Sequence, residues 1–128
     1  MAARATGRLY DRALAPFDLN AMQFAILNNI GRRGAVPTMD LAEMLSLERT
    51  TLYRALSVLQ RRNLIATEPG HGREQILSLT DSGQSLRKDA GAAWEEVQEN
   101  FVSAFGSEWE ILLGHLRRAR VIAEENAD

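Results

Sequence analysis

Residues 39 to 65 read Met39-Asp-Leu-Ala-Glu-Met-Leu-Ser-Leu-Glu-Arg-Thr-Thr-Leu-Tyr-Arg-Ala-Leu-Ser-Val-Leu-Gln-Arg-Arg-Asn-Leu-Ile65, and a Gly-rich basic turn between two short apolar runs follows as far as Thr80. The second half of this stretch predicts a helix whose faces can be counted. At about 100° per residue, Leu52, Ala55, Leu56 and Leu59 share one arc, while Thr50, Arg54, Ser57 and Arg61 gather on the opposite side. A merely solvated face would usually mix Glu and Lys in i,i+4 pairs. This one offers small hydroxyls and arginines, with Arg49, Thr51 and Tyr53 beside them. Such a surface suits the major groove of double-stranded DNA, where Arg forks onto guanine and Ser, Thr and Tyr reach bases or phosphates.

The flanks complete a pattern. Pro37 and Thr38 are expected to open a short preceding helix, Pro at its first turn and Thr as its cap, with Leu41, Ala42 and Leu45 as the apolar stripe. Ser46-Leu47 leaves room only for a tight turn, which makes the unit a helix-turn-helix whose second helix enters the groove by its N-terminal end. Asn63 stands where a helix end needs a left-handed residue, a conformation Asn tolerates. Leu64 to Glu68 and Gln75 to Thr80 then read as strands joined through Pro69-Gly70-His71-Gly72. That hairpin presents Arg73, with His71 nearby, to a phosphate or an adjacent minor groove.

On these residues the chain resembles the MarR family of bacterial winged-helix transcription regulators, over nearly its whole length. The segments that carry the likeness are Arg-Leu-Tyr-Asp-Arg-Ala-Leu-Ala-Pro at 8 to 16, Leu-Asn-Ala-Met-Gln-Phe-Ala-Ile-Leu at 19 to 27, Arg-Thr-Thr-Leu-Tyr-Arg at 49 to 54, and Leu79-Thr80 with Gly83. The resemblance implies a mainly α (α+β) fold: a winged helix-turn-helix unit at 19–80 with a small β-hairpin wing, and dimerisation helices at 1–18 and 81–128. It also implies a homodimer on a pseudo-palindromic operator, acting in the bacterial cytoplasm at the nucleoid and often repressing until a small apolar or phenolic ligand releases it. The DNA-binding residues it marks are Arg49, Thr50, Thr51, Tyr53, Arg54, Ser57, Arg61 and Arg73. The ligand pocket of the family lies between the dimer helices and the DNA-binding unit, which points to Tyr10, Phe17, Trp94 and His115 as wall residues, although aromatic residues in such places more often belong to the core.

Three departures stand out. The family's wing commonly carries Asp-x-Arg, whereas this chain has His71-Gly72-Arg73, so the arginine carries over without its usual acidic anchor. Asn63 replaces the family's helix-ending glycine. The first helix is short beside members that have a further turn or two before the position of Met1; part of the dimer interface or pocket is either reduced or supplied by residues upstream.

The remaining sequence is read as dimer machinery. No proline interrupts Asp81 to Phe105, Thr80 is placed to cap that helix, and Leu86, Ala90, Ala93, Trp94, Val97 and Phe101 recur at helical steps. About 25 residues at 1.5 Å each reach roughly 37 Å, near one turn of DNA. Gly106-Ser107 breaks the helix, and Ser107-Glu108-Trp109-Glu110 is a capping-box pattern for the next. In that last helix Trp109, Leu112, Leu113, Leu116, Val121 and Ile122 form a wide apolar surface expected to bury two sides, one on its own chain and another on a partner. The first helix adds Ala5, Leu9, Ala13 and Leu14. Its stripe of Arg4, Arg8 and Arg12 is expected to be solvated or paired with acids of the last helix.

Composition fits one compact domain: 128 residues, 45% apolar. No apolar run is long enough for a membrane span, and no leader pattern opens the chain. Having no cysteine, the chain is barred from disulfides, thiolate catalysis and the cysteine-based peroxide sensing known in the family. The net charge of -2 conceals a split. Residues 46–75 hold five arginines against three acids, and residues 81–128 hold ten acids against five bases, so the acidic surplus lies away from the groove face. His71 and His115 have no metal-ligand spacing, and no nucleophile elbow, phosphate loop or dinucleotide fingerprint occurs. No catalytic residue, metal or cofactor is expected. The competing readings are a winged-helix module that binds protein rather than DNA, and a nonspecific nucleoid protein, which the acidic balance disfavours.

Overall fold

The computed structural model describes the backbone of residues 2–105, 111 and 113–119. The chain divides into two compact units, 1–94 and 95–128. The first begins with α1 (Ala2–Leu14) and a 3₁₀ turn (Ala15–Phe17), followed by α2 (Ala21–Arg33), β1 (Ala35–Pro37), α3 (Thr38–Met44), α4 (Arg49–Arg61), β2 (Ile65–Pro69) and β3 (Gln75–Leu79). Helix α5 (Asp81–Phe105) spans the boundary between the units.

The core lies around α2, whose Ile26, Leu27 and Ile30 are fully buried together with Leu14, Val36, Leu41, Leu52, Leu59 and Leu77. The start of α2 is fixed by a reciprocal cap. The Gln23 amide donates to Asn20 Oδ1 at 2.8 Å and the Asn20 amide donates to Gln23 Oε1 at 3.0 Å, which satisfies two donors that a helix N-terminus leaves unpaired. At the other end Gly34 (φ 84°) closes the helix by donating to the Ile30 carbonyl at 2.8 Å, behind Arg32 and Arg33 in the last turn.

Helices α3 and α4 end in the same way. After α3, Ser46 takes φ 52°, its amide donates to Glu43 and the Leu47 amide donates to Ala42; after α4, Asn63 takes φ 60°, its amide donates to Gln60 and the Leu64 amide donates to Leu59. Both are Schellman closures, with the left-handed position held by a residue other than glycine. The left-handed Asn63 expected from the sequence is therefore present, and the Ser46 turn works by the same device.

One expectation about α3 needs correction. Thr38 does not cap it: Pro37 occupies the N-cap position and no side-chain cap bond forms. Thr38 is instead buried, and its hydroxyl donates to the Gln75 carbonyl at 3.1 Å. The reason is a strand not foreseen in the sequence. Ala35–Pro37 pairs antiparallel with β3 through Ala35↔Ser78, Val36↔Leu77 and Pro37↔Ile76, giving a three-stranded sheet of order β1-β3-β2 rather than a lone hairpin. Proline is tolerated because β1 is an edge strand.

β2 and β3 pair from Ile65↔Leu79 to Pro69↔Gln75. Between them the Gly70 amide donates to the Glu74 carbonyl at 2.8 Å, the Glu74 amide to the His71 carbonyl at 3.1 Å, and Gly72 takes φ 64°. At the start of α5 the Thr80 hydroxyl accepts from the Gly83 amide at 3.0 Å and donates to the Asn63 carbonyl at 2.7 Å, so the expected cap forms and also ties α5 to the end of α4. Gly83 lies against the Leu64 carbonyl so closely that a Cβ would collide with it. Further along, Arg87 crosses Gly31 of α2 and donates to Asn28 Oδ1 at 3.2 Å.

In the second unit, α5 continues to Phe105 and residues 113–119 are helical. Leu113 is half-buried and Leu116 is exposed. The side chains of Arg4, Ala5 and Phe101, the Ser107–Glu110 capping pattern, and Leu112, Val121 and Ile122 fall outside the described residues. Among the described residues, no helix is long and apolar enough to cross a membrane.

Candidate nucleic-acid interface

Helix α4 divides as its sequence requires. Leu52, Leu56 and Leu59 are 1%, 3% and 0% exposed, and on the opposite face Thr50, Arg54, Ser57 and Arg61 are all exposed. Arg49 and Tyr53 are exposed beside them; Ala55 and Thr51 are half-buried at the edges. Packing of the leucine face against the core fixes the roll of the helix and hence the direction of the outward face. Arg61 leans back on its own helix, with Nε donating to the Ser57 carbonyl at 3.4 Å. Arg62, which sequence reasoning gave no role, donates to the Asp18 carbonyl at 2.6 Å and the Phe17 carbonyl at 3.0 Å, anchoring the end of α4 to the turn that follows α1.

The N-terminal half of α4 and the wing border a shared groove of about 620 Å³, lined by Thr38, Met39, Arg49, Tyr53, His71, Arg73, Glu74 and Gln75. Its side chains include two arginines and one acid, so its field favours an anionic occupant. Arg73 and His71 are exposed there, and the conformation of the His71-Gly72-Arg73 turn is set by backbone hydrogen bonds rather than by a side-chain acid. Met39 and Gln75 were missed at the sequence level. Met39 belongs to the exposed side of α3, and its position beside Arg49 depends on the angle between two helices, which periodicity does not carry. Its sulfur accepts from Arg49 Nη2 at 3.5 Å.

The four aromatic and histidine residues implied as a pocket are partly brought together. The Tyr10 and Trp94 rings lie 4.1 Å apart at 34°, and Phe24 lies 5.1 Å from Trp94 at 32°. These distances are contact between tilted rings. Phe24, a buried member of this cluster, was not singled out in the sequence. Phe17 packs against the core, and His115 is exposed in the second unit. A separate cleft of about 500 Å³ opens between Asp11, Asp18, Gln23, Val58 and Arg62.

Residues 17–74 match a family model described as the MarR family. A Bacillus subtilis (strain 168) protein named as an uncharacterized HTH-type transcriptional regulator, YhbI, is 25% identical over 92 residues, which is 70% of this chain and 60% of that protein's length. Among solved structures, the M. tuberculosis transcriptional regulator MOSR in complex with DNA is 31% identical, with a TM-score of 0.73 over 95% of this chain and 92% of the other. NadR in complex with 4-hydroxyphenylacetate is 22% identical, with a TM-score of 0.73 over 92% of this chain and 85% of that one.

Proposed function

This chain belongs to the MarR family of transcriptional regulators, and we propose that it is a homodimeric repressor that binds a pseudo-palindromic operator in the bacterial cytoplasm. Residues 19–80 are the DNA-reading unit, and residues 1–18 and 81–128 join the two copies. Each α4 enters a major groove with Arg49, Thr50, Thr51, Tyr53, Arg54, Ser57 and Arg61, and each wing sets Arg73 against a phosphate or the neighbouring minor groove.

The observation that carries this reading is the outward face of α4, where Thr50, Arg54, Ser57 and Arg61 stand exposed without an acid among them, directly opposite three buried leucines. The DNA-bound state of the 31% identical regulator supports it. Selection of bound duplexes from a random pool tests it: the expected product is a two-fold symmetric site whose half-sites lie about one helical turn apart. Recovery of no sequence, or equal affinity for random and selected duplexes, rejects it.

Release by a small apolar or phenolic compound is the second part of the proposal, with Tyr10, Phe17 and Trp94 as its contacts. Support comes from the Tyr10–Trp94–Phe24 cluster and from the phenolic ligand of a protein with the same fold. Titration of phenolic acids into the operator complex is expected to release the DNA, and Trp94→Ala is expected to abolish that response while the operator is still bound.

A further inference from the structure

The chain has four methionines and no cysteine, and one of the four is built into the groove. Met39 is 45% exposed, lines the same opening as Arg49, Tyr53 and Arg73, and its sulfur takes a hydrogen bond from Arg49. Arg49 is the first residue of α4, so the side chain that Met39 holds is one that must face the nucleic acid. A thioether is a weak acceptor and releases a guanidinium readily to a phosphate.

We infer that Met39 is an oxidation site through which peroxide weakens DNA binding, a regulation that rests on the DNA-binding reading above. The Met39 sulfur lone pair attacks one oxygen of hydrogen peroxide. A sulfur–oxygen bond forms, the oxygen–oxygen bond breaks, and the departing hydroxide takes the proton from the transferred oxygen to leave as water. Sulfur is oxidised by two electrons to the sulfoxide and the peroxide is reduced. The new oxygen projects from the atom that already faces Arg49 Nη2, and unlike the thioether it is a strong, dipolar acceptor. It retains the guanidinium in a charge-assisted hydrogen bond and places a polar group at the mouth of the groove. The exposure of Met39 lets the oxidant in, and also admits a methionine sulfoxide reductase that restores the reduced state.

The test uses the full chain treated with hydrogen peroxide, with sulfoxide located by peptide mass mapping and affinity measured on a selected duplex. Sulfoxide at Met39 should weaken binding about tenfold, the loss of roughly one arginine contact, and reductase treatment should restore it. In Met39→Leu the treated and untreated affinities should be equal, whatever the starting affinity, although Met1, Met22 and Met44 remain. A full loss on oxidation of Met39→Leu, or an unchanged affinity when Met39 is oxidised in the unsubstituted chain, overturns the inference. If the untreated protein binds no duplex, the DNA-binding reading fails by itself. The Arg49 side-chain N–H resonance then decides the local claim: a shift on oxidation that is absent in Met39→Leu supports the sulfoxide bond, and no shift refutes it.

Discussion

Arg54 and Arg73 are both exposed arginines, yet their surroundings give them different work. Arg54 projects from the middle of a helix face whose roll is set by buried leucines, a placement suited to forked contact with a base edge. Arg54→Ala should therefore cost about 1 to 3 kcal/mol on the selected site and relax preference at one base position, as read by competition among single-base variants. Arg73 sits on a turn shaped by backbone hydrogen bonds, so Arg73→Ala should weaken all duplexes alike and reduce the salt slope by about 1, measured by titrating affinity against salt. The face of α4 was legible because every candidate on it follows from helical period. Met39, Gln75 and Arg62 were not, because their positions depend on how separate elements meet: Met39 across an interhelical angle, Gln75 across a strand pair, and Arg62 across the 44 residues that separate it from Asp18.

Among the elements, the closures of α3 and α4 place Ser46 and Asn63 in the left-handed region, where a side chain costs about 1 to 2 kcal/mol and Asn less than Ser. Ser46→Gly is thus expected to stabilise the protein by roughly 0.5 to 1 kcal/mol in urea unfolding, and Asn63→Gly by only a few tenths. Gly83 is constrained in the opposite sense. Its contact with the Leu64 carbonyl is against backbone that cannot swing aside, and Gly83→Ala should destabilise by roughly 3 kcal/mol. The bounds of α5 and both wing strands could be read within a residue or so because caps, breakers and alternation all agreed there. The edge strand β1 escaped notice since three residues ending in proline show no period, and its pairing partner lies some forty positions away. The same hidden strand explains the misassigned cap: pairing of β1 with β3 brings the buried Thr38 hydroxyl to the Gln75 carbonyl, so it bonds the sheet and leaves the helix end without a side-chain cap.

For the molecule as a whole, the proposed pairing of two chains through 1–18 and 81–128 makes a direct prediction. Sedimentation should give a dimer at micromolar concentration, and removal of residues 95–128 should yield a monomer with at least a hundredfold weaker hold on the symmetric site, since two linked half-site contacts reinforce each other. The segregation of charge, basic at 46–75 and acidic at 81–128, adds that affinity for unrelated DNA should fade quickly with salt. The three-stranded sheet carries a further consequence. Because β1 runs directly into α3 and Thr38 fastens that junction to the strand bearing the wing, a swing of the hairpin is expected to pull on α3 and, through the tight Ser46 turn, on the reading helix α4. Chemical footprints of a half-site should then keep a constant offset between protected bases and protected backbone, so that inducers which alter occupancy slide or lift the whole reading head as one rigid gauge.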